Sequence, residues 1–166
     1  MCMKYINATT YCYESVVSLD EKPVSFNHPF NGVVATKHAD GSFSIGGFKI
    51  VTQMSLLGTN TEENKSTNII EQKGRLDVII RLTKCDPNEK NQLGSDLDSF
   101  SIDVQKMASQ IDVACYQFMN YTRITEVSGI DLVAGIGNYV IKVLVKNADD
   151  SEYTIQTMSR LKVIGP

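Results

Sequence analysis

The chain has 166 residues, a formal net charge of −3 and a hydrophobic content of 42%. A sequence of this length buries about 70% of the surface its unfolded form exposes, so it holds a core without a metal or disulfide staple. Its composition is that of a folded domain, and its 16 Lys and Arg are scattered without a basic stripe, which argues against nucleic acid as a partner.

In chain order, the residues from Met1 to Ile6 lack the apolar run of a secretory leader. No stretch approaches the roughly 20 apolar residues that cross a bilayer. The expectation is a cytoplasmic protein with no membrane partner, whose Cys2, Cys12, Cys85 and Cys115 stay reduced. The first strand is predicted from Lys4 to Tyr13, with Ile6, Ala8, Thr10 and Cys12 on one face. Asp20 to Pro23 reads as a turn, Val24 to Phe26 as a short extended piece, and Asn27 to Gly32 as loop. Asp40-Gly41 is a turn that leads into a strand from Ser42, and Gly46-Gly47 predicts a bulge or a close approach of backbones.

Period-two alternation from Phe48 to Leu57 aligns Phe48, Ile50, Thr52, Met54 and Leu56. Gly58 to Ser66 reads as loop, Thr67 to Gln72 as a short strand, and Arg75 to Thr83 as a strand with Leu76, Val78, Ile80 and Leu82 together. Asp86 opens a polar connection that runs to Ser99, and Phe100 to Val104 alternates again. The stretch 104–118 reads two ways: Val104, Met107, Ala108, Ile111 and Cys115 fit a helical stripe, whereas a strand over Ile111 to Asn120 suits the β-formers there. The strand is favoured.

The C-terminal end is the most regular part. Tyr139 to Lys146 reads as a buried strand, Asn147 to Asp150 as a four-residue loop, and Ser151 to Ile164 as the returning strand, with a bulge predicted near Ser159. Tyr139 either ties its phenol to an upstream backbone group, as in a tyrosine corner, or simply packs at the strand start. Short strands with turns between them predict one all-β domain over residues 1–166. Its expected form is a two-sheet antiparallel β-sandwich, immunoglobulin-like or C2-like, of about eight strands, with a short helix within 104–118 as the alternative for that segment.

Several features together resemble a group of small bacterial and phage-borne β-sandwich proteins that share a domain of unknown function. They are the opening strand into Cys12, Glu21-Lys22-Pro23, Asn27 to Phe30, the Gly41 to Ser44 strand, Arg75 to Asn88 and the Gly137 to Tyr139 entry to the terminal hairpin. Extra residues around Thr59 to Asn68 and Ile124 to Ile136 depart from the group's pattern. The resemblance implies a sandwich in a bacterial or phage-infected cytosol and brings no catalytic residue.

The search for chemistry is sparse. His28 and His38 are the only histidines, no G-x-S-x-G elbow is present, and Cys12 near His28 is the one Cys/His pairing worth testing. Asp96 and Asp98, with Asp86 and Glu89, form an acidic stretch that lacks a calcium-loop pattern, and Gly135 to Gly137 lacks a dinucleotide fingerprint. The expectation is therefore no catalytic, metal or cofactor-binding residue and no cofactor. The leading reading is a non-catalytic module that binds another protein or itself through an end loop or an edge strand. A phage- or prophage-encoded inhibitor of a host enzyme or defence factor is the alternative, and an enzyme with an end-loop site ranks third.

Overall fold

The computed structural model describes residues 5–19, 22–57, 75–85, 94–103, 118–147 and 150–166. Among these residues the chain is all β, with no helix. The expected strand over Thr67 to Gln72 and the helix-or-strand choice over 104–117 lie outside the described residues.

A four-stranded sheet has the order β2 (Lys22–Phe30), β1 (Tyr5–Leu19), β6 (Phe48–Leu57), β9 (Phe118–Val127). A five-stranded sheet runs β3 (Gly32–Val34), β12 (Thr154–Ile164), β11 (Gly137–Asn147), β7 (Arg75–Lys84), β8 (Gly94–Asp103). A small third sheet joins β10 (Ile130–Asp131), β5 (Phe43–Ile45) and β4 (Thr36–Lys37). The twelve strands among the described residues exceed the eight or so expected, and four of them are pieces of only two or three residues.

The alternating faces form one core. Phe48, Ile50, Thr52 and Met54 of β6 are buried, as are Leu76, Val78, Ile80 and Leu82 of β7 and Ile141, Val143 and Val145 of β11. The apolar residues among them belong to a single cluster with Ala8 and Cys12 from β1 and Leu161 and Val163 from β12. Complete burial of a Leu or Ile side chain contributes about 1.5–3 kcal/mol, so the β7–β11 pair at the centre of the five-stranded sheet supplies much of the cohesion. Gly46 is forced by the approach of Gly129: a Cβ there would stand 2.5 Å from the Gly129 amide nitrogen.

Five expectations need correction. Strand β1 runs to Leu19, well past Tyr13, and Asn27 to Phe30 belongs to β2 rather than to a loop, because the far half of β1 and β2 pair with each other. Pro23 and Pro29 are tolerated because β2 is an edge strand, where a missing N–H need not break a ladder. The polar run Gly94 to Ser99 is strand, not connection, and it too lies at a sheet edge. The returning strand of the terminal hairpin begins at Thr154 rather than Ser151. Its bulge also sits earlier than Ser159, since Val143 pairs with Thr157 and Leu144 with Ile155, leaving Gln156 as the extra residue. That shift turns Ile155 to solvent while Leu161 and Val163 face the core.

Tyr139 makes the corner. Its ring is buried and its phenol donates to the Gly135 carbonyl four residues upstream, and burial pushes the phenol's pKa up. The tie anchors the 132–136 turn to the start of β11. Tyr139→Phe removes the donor, leaves that carbonyl unpaired and is expected to cost about 1 kcal/mol or somewhat more; chemical denaturation of the two proteins measures the difference.

Candidate interaction surface

The residues singled out for chemistry do not converge. Cys12 lies on the core side of β1, its backbone partner across the ladder is Phe30, and desolvation pushes its thiol up to about 12. His28 turns away in a left-handed backbone conformation (φ 55°) and meets Glu14 at 3.0 Å on the exposed surface. The Cys12–His28 pair is therefore not assembled. His38 Nε2 shares a 2.8 Å hydrogen bond with the Ser44 hydroxyl inside the β4–β5 hairpin, where Asp40 accepts from the amide and hydroxyl of Ser42 and shapes the turn. Among the described residues no group of three or more His, Cys, Asp or Glu is placed to hold a metal. Cys85 is an exposed free thiol.

Asp96 and Asp98 are separated by a bulge. Ile80 pairs with Asp98 and Arg81 with Asp96, so Leu97 is the extra residue and the two carboxylates fall on opposite faces of β8. Asp96 takes Arg81 on the outer face at 2.5 and 3.3 Å. Asp98 turns inward and accepts from Arg123 Nε and Nη2, at 2.9 and 3.1 Å, and from the Thr125 hydroxyl at 2.7 Å, all from β9 of the other sheet. Arg123 also lies 4.9 Å over the Phe100 ring, which stacks on Tyr121. Burial alone would raise the Asp98 carboxyl. Hydrogen bonds from Arg123 and Thr125, with the guanidinium charge, outweigh it and hold the carboxyl below its ordinary value. What reads in sequence as a solvated acidic loop is a polar clasp between the β8 and β9 margins of the two sheets.

The opposite margin is different. Strand β1 pairs with β6 from Tyr5 to Tyr13 but meets β2 only from Cys12 onward, so over Tyr5 to Tyr11 its other side has no strand partner among the described residues. Strand β12 pairs with β11 throughout, but with β3 only at Lys162 to Ile164. From Thr154 to Leu161 its outer side has no strand partner among the described residues. The two strands run close beside each other along these sides and are tied at the point where the Thr10 and Ser159 hydroxyls hydrogen-bond and Ser159 donates to the Thr10 carbonyl at 3.1 Å. Around that point Ile155, Met158, Tyr11 and Arg160 are exposed. A groove of about 280 Å³ there is lined by Thr10, Tyr11, Pro29, Phe30, Ser159 and Arg160, among others.

Beyond Tyr13 the β1–β2 pair leaves β6 and continues as a two-stranded ribbon to Leu19 and Lys22. Tyr13 packs on Phe26 at 5.1 Å, and Val17 stands exposed beside it in the sheet. Isolated two-strand ribbons are marginal in water, so this one relies on its root in the sheet. The position of the open edge is not legible in the residues, because edges are set by which strands pair, and hydrophobic period is silent on that.

No family model matches the chain, and no curated protein matches it. Among solved structures, the CooA pilin subunit from enterotoxigenic Escherichia coli is similar at 12% identity over 96% of this chain and 96% of that chain, with a TM-score of 0.30. At that score the likeness transfers neither topology nor role.

Two measurements follow from this geometry. Because the folded pKa of Asp98 is depressed, its stabilisation is fully present above the unfolded carboxyl value of about 3.9 and is lost as pH falls through the folded value. Asp98→Asn should thus lower stability by about 1–3 kcal/mol at pH 7, and the gap to the parent should narrow below about pH 4 in pH-dependent melts. In the folded protein at pH 7, iodoacetamide should label Cys85 and spare Cys12, which mass spectrometry of tryptic peptides reads directly.

Proposed function

We propose that the chain is a two-sheet β-sandwich that works without catalysis, as a module that binds another protein by strand addition at the open side of β12. The observation that carries this reading is the unpaired stretch of β12 from Thr154 to Leu161, with exposed Ile155, Met158 and Arg160 along it. An edge strand offers alternating N–H and C=O groups to an incoming extended segment, and neighbouring side-chain grooves supply selectivity. A sandwich is supported by one apolar cluster fed from the four- and five-stranded sheets and by polar ties at both margins.

A non-catalytic role is favoured because Cys12, the thiol that the sequence paired with His28, is buried with its pKa pushed up to about 12, and His28 meets Glu14 instead. The free Cys12 and Cys85 thiols fit a reducing compartment.

The lone hydrogen-bonding direction of each residue supplies the test. The Lys162 amide donates to the Asn31 carbonyl on the outer side of β12, and strand alternation aims the Met158 amide the same way. Met158→Pro therefore deletes an outward donor while sparing the β11 ladder. Affinity capture from the native host should recover a partner with the parent protein and lose it with Met158→Pro, while Val17→Ser on the ribbon retains it. Equal recovery with Met158→Pro, or no partner at all, would sink the reading.

A further inference from the structure

The β12 edge has a chemical bias that strand addition alone does not require. Two grooves flank Arg160: the one already described, and a second of about 430 Å³ lined by Asn31, Cys85, Asn138, Tyr139, Arg160, Leu161 and Lys162. Asn31 and Arg160 belong to both. Among the described residues neither lining contains an Asp or Glu, in a chain that carries 19 acids and a net charge of −3. Glu14 on the adjoining ribbon meets His28. The charges presented are Arg160 and Lys162, and neither has an ion-pair partner among the described residues, whereas Arg75, Arg81 and Arg123 each hold an Asp. Beside these cations lie apolar surfaces from Tyr11, Pro29, Phe30 and Leu161.

We infer that the segment received by β12 is an extended peptide with a carboxylate side chain opposite Arg160 and Lys162. This rests on the strand-addition reading and deepens it. The argument for a peptide rather than a small anion is the backbone. The outward N–H and C=O groups of Met158 and Arg160 continue the row that Lys162 shares with Asn31, and they recur at the two-residue spacing of a strand. The slot is bounded at one end by Asn31, where β3 takes over, and runs back to Thr154, about 26 Å at roughly 3.3 Å per residue. The argument for a carboxylate is complementarity. Arg presents a planar fork that takes a carboxylate in two parallel hydrogen bonds, and among the described residues no acid of either groove occupies that fork. The same cations repel a second copy offering its own Arg160 and Lys162 in register, which disfavours edge-to-edge self-pairing.

The test is selection of a displayed random ten-residue peptide library against the full chain, its Arg160→Ala variant and its Arg160→Glu/Lys162→Glu variant. Circular dichroism first establishes that each variant is folded. Peptides selected on the parent should be enriched in Asp or Glu at one position, should bind Arg160→Ala at least tenfold more weakly, and should be replaced by Lys- or Arg-bearing peptides on the doubly charge-reversed variant. Amide hydrogen exchange with a selected peptide should slow at Met158 and Arg160. Slowed exchange there without acidic enrichment would overturn the carboxylate inference and leave strand addition standing. Peptides that protect other amides, or no selected peptide at all, would overturn both.

Discussion

A β-strand has two hydrogen-bonding sides, and β1 uses them one after the other. Along Tyr5 to Tyr13 it is held by β6; from Cys12 to Leu19 it is held by β2, and only Cys12 and Tyr13 have neighbours on both sides. This change of partner makes the rest of the surface. It frees the outer side of β1 near Thr10, where the strand meets the open side of β12. It also sends the β1–β2 ribbon past the end of β6. Had β2 run alongside the first half of β1, that side of the strand would be covered and the ribbon would not exist.

The two margins of the sheets are closed by different chemistry. At β8 and β9 an inward Asp98 takes a two-pronged Arg123 and a Thr125 hydroxyl, with Phe100 and Tyr121 stacked beside them. A charge-assisted, partly buried arrangement of this kind is directional and hard to open, because parting it strands a carboxylate. At β1 and β12 the tie is a pair of neutral hydroxyls and one backbone carbonyl. Each such bond contributes about 1 kcal/mol net, so this margin is the weaker of the two. The site proposed for a partner lies on the side that costs less to rearrange.

Edges are hazards as well as opportunities. The free side of β2 carries Pro23 and Pro29, and β8 is kinked by the Leu97 bulge. On β12 the devices are milder: a bulge at Gln156, and the cations Arg160 and Lys162. Charge discourages pairing with a like-charged strand but permits an acidic one, so under the proposed reading the feature that protects the edge would also select its partner.

Much of the strand content was legible in the residues. The alternation in Phe48 to Leu57 and Arg75 to Thr83, the terminal hairpin and the Gly46 contact follow from period, turn chemistry and glycine's missing Cβ. All-β was determined by the sequence itself, because those signals are local. The polar Gly94 to Ser99 stretch was illegible as strand, because an edge strand needs little apolar surface and its bulge breaks the alternation. The fates of Asp96 and Asp98 were equally hidden: one extra residue, Leu97, sends them to opposite faces, and register is a property of two strands rather than one. Which sides of β1 and β12 stay open depends on which strands pair, and the β12–β3 pairing joins residues 130 positions apart, as Lys162 and Gly32 are. Only the tertiary structure decides that, and with it where another chain can bind.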